Sequence, residues 1–359
     1  MDAIVLVGGQ GTRLRPLTVT TPKPMLPAAG VPFLTHLLCR LCDAGVDHVV
    51  LSTSYRPEVF TAHFGDGAAL GLELDYVTEE VPLGTGGGIR NVVDRLRAGP
   101  DEPVVVTNGD VLTGLDLREL VAVHRGGGAD VTLCLSRVQD PRAFGLVPTD
   151  STGRVTAFLE KPQTSAEIVT DQINAGCYVF ARSVIDRIPA GRPVSVERET
   201  FPGLLQGGAT VLGHVDDGYW LDLGTPTAFI TGCRDLVLGR APSSALPGPT
   251  GEALVLSGAS VAAGAVLAGG TTVGAGAVVG SGARLDGTVL FDEAVVEGGA
   301  VVRRSVMGRG ASVGAGTVLS GVVLGDGVSV GAGNELLDGV RVWPGAQIAD
   351  GAVRFSPDR

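Results

Sequence analysis

The sequence predicts an α/β chain in two parts. A mostly parallel sheet flanked by helices covers residues 1–240, and after a linker at 241–251 a parallel β-helix covers residues 252–359. Three observations predict this. Apolar runs of strand length alternate with helical apolar spacing up to about residue 230, as in chains whose parallel sheet is covered on both faces. Ala241-Pro-Ser-Ser-Ala-Leu-Pro-Gly-Pro-Thr-Gly251 has the composition of a linker. Beyond it helical spacing stops, 24 of the 55 glycines fall in the last 109 residues, and aliphatic residues return at every sixth position.

In chain order, Ala3 to Val7 reads as a buried strand, and Phe33, Leu34, Leu37, Leu38 and Leu41 mark one face of a helix. Val46 to Ser52, Asp75 to Thr78, Val104 to Thr107, Val131 to Ser136 and Ala175 to Ala181 read as further strands. Helices are expected at Gly88 to Arg97 and at Asp116 to Arg125. The pattern is Rossmann-like, and such sheets bind ligands at the carboxyl ends of their strands, where the glycine loops of this chain fall. In the tail the six-residue period runs Val255, Val261, Leu267, Val273, Val279, Leu285. It resumes after a slip of four at Val289, Val295, Val301, Met307, Val313, Leu319, and after a slip of five at Leu324, Val330, Leu336, Val342, Ile348. A strict hexapeptide period of this kind predicts a left-handed β-helix, one inward side chain per short strand, with Gly and Ala at the corners.

A net charge of −11 and a pI near 4.9 argue against nucleic-acid and anionic-membrane partners, which need a basic face. No apolar run reaches membrane-spanning length, and the first residues enter a strand without a basic leader, so a cytoplasmic location is expected. The five cysteines include Cys39-Arg40-Leu41-Cys42, but that pair lies within a helical pattern and no second pair completes a metal site. They read as small buried residues.

The first strand ends in Leu6-Val7-Gly8-Gly9-Gln10-Gly11-Thr12-Arg13-Leu14-Arg15-Pro16-Leu17, which continues to Pro22-Lys23-Pro24. Glycines at a strand end let phosphate approach main-chain N–H groups, Arg13 can fork onto phosphate oxygens, and Lys23 adds a point charge. No Gly-Lys-Ser/Thr ending makes this an ATPase loop, and Leu14 stands where a dinucleotide fingerprint has its third glycine. Of 27 basic residues only Lys23 and Lys161 are lysine, each beside proline. In a chain that otherwise uses arginine, a retained ammonium marks sites that a planar guanidinium does not fit. Asp110, in Asn108-Gly109-Asp110-Val111, stands just past a strand end, and Asp222 lies in Trp220-Leu221-Asp222-Leu223-Gly224; by spacing alone either is a magnesium ligand or a capping or turn residue.

Gly-Gly-x-Gly-Thr-Arg-Leu-x-Pro-Leu-Thr followed by Pro-Lys-Pro resembles the signature of the sugar-nucleotide pyrophosphorylases, which join a nucleoside triphosphate to a sugar 1-phosphate. The resemblance runs along almost the whole chain. It implies that Leu6, Gly8, Gly9, Gly11, Thr12, Arg13, Lys23 and Asn108 meet the nucleotide and that Asp110 and Asp222 hold Mg²⁺, with Arg13, Lys23 and both aspartates as the catalytic set. Glu80-Val81-Pro82-Leu83-Gly84-Thr85 looks like the base loop in the form typical of the mannose-1-phosphate guanylyltransferases of that family. It implies GTP and mannose 1-phosphate as substrates, with Glu80, Gly84 and Thr85 on the base. Glu160-Lys161-Pro162, Asn174-Ala175-Gly176 and Phe144-Gly145 match family segments that place Glu160, Lys161, Asn174 and Gly145, with Asp110, on the sugar phosphate. Ser195-Val196-Glu197 also matches, without an assigned role, and Val342-Trp343-Pro344 fits the same subgroup. Gly109, Gly87 and Phe144 depart from frequent family residues and bear on sugar identity.

Other readings stay open: uridylyl or thymidylyl transfer to glucose 1-phosphate, guanylyl transfer to a manno-heptose 1-phosphate, and an idle sugar-nucleotide-binding paralogue. Acyl transfer by the tail is disfavoured, because His36, His48, His63, His124 and His214 all lie before it and such transfer usually needs a histidine base. The tail therefore reads as structural, with homo-oligomerisation covering its edges.

Overall fold

The computed structural model describes residues 1–162 and 164–354, so the last five residues of the predicted tail lie outside them. By packing the chain forms two compact units, residues 1–9 with 37–220, and residues 10–36 with 221–359.

The first unit is built on one sheet. Its main strands are β1 (Asp2–Leu6), β2 (His48–Thr53), β3 (Glu73–Thr78), β4 (Pro103–Asn108), β5 (Val131–Arg137), β6 (Gln172–Ala181) and β7 (Val211–Val215). Their order is β3-β2-β1-β4-β6-β5-β7, with the short strands Gly145–Leu146 and Leu159–Glu160 attached beside β6. Strands β3, β2, β1 and β4 are parallel. Strand β6 runs antiparallel to both β4 and β5, and β7 is parallel to β5. Four of the six pairings between main strands are parallel, as predicted, and the reversed β6 makes the sheet mixed; strand direction leaves no trace in apolar spacing, so that reversal was not read from the sequence. Buried on both faces, β1, β2 and β4 consist of mostly apolar runs without polar alternation, whereas the edge strand β3 alternates. Their core joins Ile4, Val50, Val104 and Val106 to the aromatic group Tyr178, Phe180 and Phe201.

Helices α1 (Phe33–Asp43), α2 (Gly84–Asn91) and α3 (Leu117–Gly126) follow strands as expected. Asp116 caps α3 by accepting from the N–H groups of Arg118 and Glu119. Helix α2 starts four residues before the predicted Gly88 and gives way to a 3₁₀ turn at Val93–Arg95. The Val194 carbonyl accepts from the N–H groups of Gly86 and Gly87 at 2.8 and 3.3 Å, which lets the helix begin inside the glycine loop.

The second unit holds helix α4 (Pro226–Val237), capped by Thr225, and a parallel β-helix. Seventeen short strands between Ala253 and Ile348 form three parallel sheets. Successive coils register at Val255↔Val273, Val273↔Leu290, Leu290↔Met307, Met307↔Leu324 and Leu324↔Val342. Each of the seventeen predicted aliphatic positions falls in its own strand. Met307, Val313 and Leu319 fill the core as predicted, but the first three positions of the middle register are displaced by one residue. Leu290, Val296 and Val302 fill the core, while the predicted Val295 and Val301 are only half-buried and Val289 is buried outside that cluster. Adjacent aliphatic pairs (Val289-Leu290, Val295-Val296, Val301-Val302) satisfy the period in either phase. Buried corner hydroxyls accept from the next coil, as Thr271 does from the Thr288 N–H and Ser305 from the Val322 N–H. Helix α4 packs on this stack through Phe229 against Phe291, with ring centroids 6.4 Å apart. The His36 ring, kept neutral by burial, contacts the Ala28 carbonyl and the linker hydroxyl of Ser243.

The observed register predicts that Val302→Ala destabilises the tail by roughly 2 kcal/mol and Val301→Ala by under about 1 kcal/mol. Denaturant unfolding of the two variants checks this, and the reverse order would restore the register read from the sequence.

Candidate functional site

In the first unit the predicted residues lie on or beside the strands of the sheet. Leu6 and Asn108 end β1 and β4 side by side, in register, and the Gly109 N–H donates to the Leu6 carbonyl. A side chain at Gly109 would collide with Val7, so this departure from the family pattern follows from how closely the two strand ends approach. Asp110 follows at once and is half-buried. On the neighbouring β6, Gly176 (φ +77°) lies against the Asn108 amide. Asn174 accepts from the Gly176 N–H at 3.0 Å and donates to the Tyr178 hydroxyl at 2.8 Å. It retains one N–H and one lone pair for a ligand. Burial pushes the Tyr178 phenol up, so it stays protonated as that acceptor.

Glu160 pairs with Gly145 across the two short strands, and a Cβ at Gly145 would press on its carboxylate. Lys161 adopts φ +49°, a left-handed conformation that costs an L-residue about 1–3 kcal/mol and recurs at functional sites. Its Nζ is 3.8 Å from Glu160 Oε1, and its side chain is 59% exposed.

The predicted base loop is held from two sides. Glu79, which the sequence reading passed over for Glu80, accepts from the Ser52 hydroxyl at 3.1 Å and from the Leu83 N–H at 2.9 Å. Glu80 itself is exposed. The Thr85 hydroxyl donates to Glu197 and accepts from the Val196 N–H, both at 2.9 Å, and Ser195 donates to the same carboxylate at 2.7 Å. The Ser195-Val196-Glu197 segment, given no role from sequence, therefore anchors the loop. The Thr85 hydroxyl, its proton committed to Glu197, offers a ligand one lone pair.

In the second unit, Gly11 (φ +61°) opens a 3₁₀ turn at Thr12–Leu14, and a Cβ there would press on Lys23 and Thr18. Thr18 donates to the Gly11 carbonyl at 2.8 Å. The loop thereby folds over Lys23, which is 7% exposed. Asp222 stands between two cations, with Lys23 Nζ 3.6 Å from one oxygen and Arg13 Nη2 3.9 Å from the other. Both distances exceed a hydrogen bond. Sequence reasoning missed Arg341, whose Nη1 donates to the carbonyls of Arg13 and Arg15 at 2.8 and 3.0 Å. No motif marks it, since its role depends on two main-chain acceptors.

Among the described residues no group of three or more His, Cys, Asp or Glu forms a metal cage. Mg²⁺ needs none: one or two carboxylates suffice when phosphates and water complete its shell, and the half-buried carboxylates of Asp110 and Asp222 have that chemistry.

Residues 2–237 match the family described as nucleotidyl transferase, and residues 250–354 match the GMPPB C-terminal domain. The whole chain is 60% identical to a mannose-1-phosphate guanylyltransferase of Mycobacterium tuberculosis, covering 98% of that protein. It is 40% identical over 260 residues to the mannose-1-phosphate guanylyltransferase catalytic subunit beta of Drosophila pseudoobscura pseudoobscura, which is 70% of this chain and 68% of that one. Among solved structures, HddC from Yersinia pseudotuberculosis, complexed with GMP-PN, aligns with a TM-score of 0.56 at 28% identity. The alignment covers 66% of this chain and 99% of that one. A putative glucose-1-phosphate thymidylyltransferase from Bacillus anthracis shares the fold, with a TM-score of 0.60 at 22% identity over 68% of this chain and 96% of that one.

Thr85→Val removes a donor from Glu197 and an acceptor from Val196. It is expected to cost about 1–3 kcal/mol of stability in chemical denaturation, and an unchanged midpoint would show that this anchor does not form in solution.

Proposed function

The chain belongs to the nucleotidyl transferase family, and from that premise we propose that it transfers the guanylyl group of GTP to mannose 1-phosphate, giving GDP-mannose and pyrophosphate. The observation that carries this reading is the full-length likeness at 60% identity to a protein of that activity. The Pro82-Leu83-Gly84-Thr85 loop, anchored by Glu79 and Glu197, supports the choice of base.

In this reading an oxygen of mannose 1-phosphate attacks the α-phosphorus of GTP, a P–O bond forms, and the bond to the pyrophosphate leaving group breaks. Two polyanions must meet, so positioning and charge compensation supply most of the acceleration. Arg13 and Lys23 take the triphosphate, with Leu6, Gly8, Gly9, Gly11, Thr12 and Asn108 along its path. Glu80, Gly84 and Thr85 meet the guanine. Glu160 and Asn174 hold sugar hydroxyls, Gly145 leaves room for the ring, and Lys161 binds the sugar phosphate. Mg²⁺, held by Asp110 and Asp222, would supply charge neutralisation at the reacting phosphates.

The reading extends to a cytoplasmic enzyme that assembles with copies of itself. All five cysteines are free thiols, as suits a reducing compartment. Among the described residues no helix is long and apolar enough to cross a membrane. Val255, Val261, Val266 and Val278, each 37–50% exposed, lie in the first coils of the β-helix and support homo-oligomerisation there. The proposed catalytic part is residues 1–240 and the proposed assembly part is 252–359.

Pyrophosphate release with Mg²⁺ across GTP, UTP, dTTP and ATP, each with mannose and glucose 1-phosphate, tests the proposal. Strong preference for GTP with mannose 1-phosphate is expected; another pair would reassign the substrates, and no release with any pair would indicate a binding paralogue. Asp110→Asn should keep the fold and lower turnover by roughly 100-fold, whereas unaltered turnover removes Asp110 from the metal site. Lys161→Ala should raise KM for the sugar phosphate by roughly tenfold with little change for GTP; equal losses for both substrates would place Lys161 elsewhere.

A further inference from the structure

The second unit contains a cavity of about 370 Å³ that the transfer chemistry does not use, within the size range of small-molecule sites. Its lining includes three arginines, Arg234, Arg304 and Arg341, against one carboxylate, Asp338. Thr225 and Thr227, at the start of the twelve-residue α4, lie on its wall, so the positive end of that helix dipole adds to the arginine charge.

Arg304 is placed there at a conformational cost. It occupies a corner of the β-helix between Gly287 above and Gly321 below; its N–H donates to the Asp286 carbonyl, and the Gly321 N–H donates to the Arg303 carbonyl. This corner stack is left-handed throughout, with φ +54° at Gly287, +44° at Arg304 and +65° at Gly321. Glycine adopts such angles freely, whereas an L side chain is strained there. A large cation thus stands at a position that favours glycine, on the lining of a cavity that already has two other arginines. Arg341 provides the second observation. It lines the same cavity while its Nη1 grips the Arg13 and Arg15 carbonyls, so one guanidinium touches both the cavity and the loop that carries Arg13.

We propose that this cavity binds a phosphorylated small molecule and that Arg341 transmits its occupancy to the Arg13 loop. Three guanidinium groups around this volume suit a phosphate ester with an organic body better than bare inorganic phosphate. Binding stands on the cavity alone; transmission to the nucleotide rests on the proposed role of Arg13.

The test uses the full-length protein at constant ionic strength, with thermal unfolding as the binding readout, which requires no turnover. The probes are sulfate, inorganic phosphate and a hexose 6-phosphate, whose phosphate is not at the anomeric carbon. Hexose 6-phosphate should raise the midpoint with an affinity at least about tenfold above that of inorganic phosphate; equal affinities overturn the organic ligand. Arg304→Gly, which relieves the strain and so preserves the fold, should weaken all three probes by about tenfold or more, while Arg13→Ala should leave hexose 6-phosphate binding intact. Wild-type affinity in Arg304→Gly, or no midpoint shift in the unaltered protein, overturns the site. For transmission, sulfate should change KM for GTP in the unaltered enzyme and not in Arg304→Gly. An effect that persists in the variant is direct competition at the nucleotide loop and overturns the coupling.

Discussion

An ammonium group removed from water must be compensated, and the second unit is arranged around meeting that demand for Lys23. The residue is 7% exposed, and a desolvated charge without a partner costs several kcal/mol. Asp222 lies 3.6 Å away and at the same time faces Arg13, so one carboxylate answers two cations. The loop must then turn tightly enough to cover the ammonium, which accounts for Gly11 in a left-handed conformation and for the Thr18 bond back to its carbonyl. In the proposed reaction the triphosphate of GTP would compete with Asp222 for both cations. The charge pattern is therefore prepared before any substrate is present, at a cost in stability that folding has already met.

The first unit follows a different principle, close approach of main chain. Gly109 exists because two strand ends nearly touch, and Gly176 because the Asn108 amide needs the space a Cβ would fill. In the base loop, Gly86 and Gly87 press against the 192–194 segment, which supplies the carbonyl that starts α2. Glycine richness thus has two causes in this chain, and only some glycines lie where a phosphate could use them. Shape at the base loop is further set by Glu197, more than a hundred residues away, through its bond to Thr85.

What was legible in the sequence was whatever repeats or clusters locally. The hexapeptide period located every strand of the β-helix, and the glycine loop, Asn108-Gly109-Asp110 and Glu160-Lys161-Pro162 stood out because their chemistry lies within a few residues. Doubled valines hid the phase of the middle coils, since either member satisfies the period. The reversal of β6 was invisible because a strand buried on both faces has the same apolar pattern in either direction. Glu79, Glu197 and Arg341 were given no role for a common reason: each bonds to a distant segment, Glu79 to Ser52, Glu197 to Thr85 and Arg341 to the carbonyls of Arg13 and Arg15, and no local motif records such a partner.

The scarcity of lysine has a consequence of its own. Amine-selective chemistry, whether from a laboratory acylating reagent or an activated metabolic ester, meets very few targets on this surface. Lys23 is shielded beneath its loop, while Lys161 projects with 59% of its side chain exposed. Apart from the chain terminus, acylation would therefore concentrate on a single side chain, and under the proposed role of Lys161 its extent would report whether sugar phosphate is bound. Toward amine-selective reagents the arginine-rich surface is quiet except at the chain terminus and at Lys161.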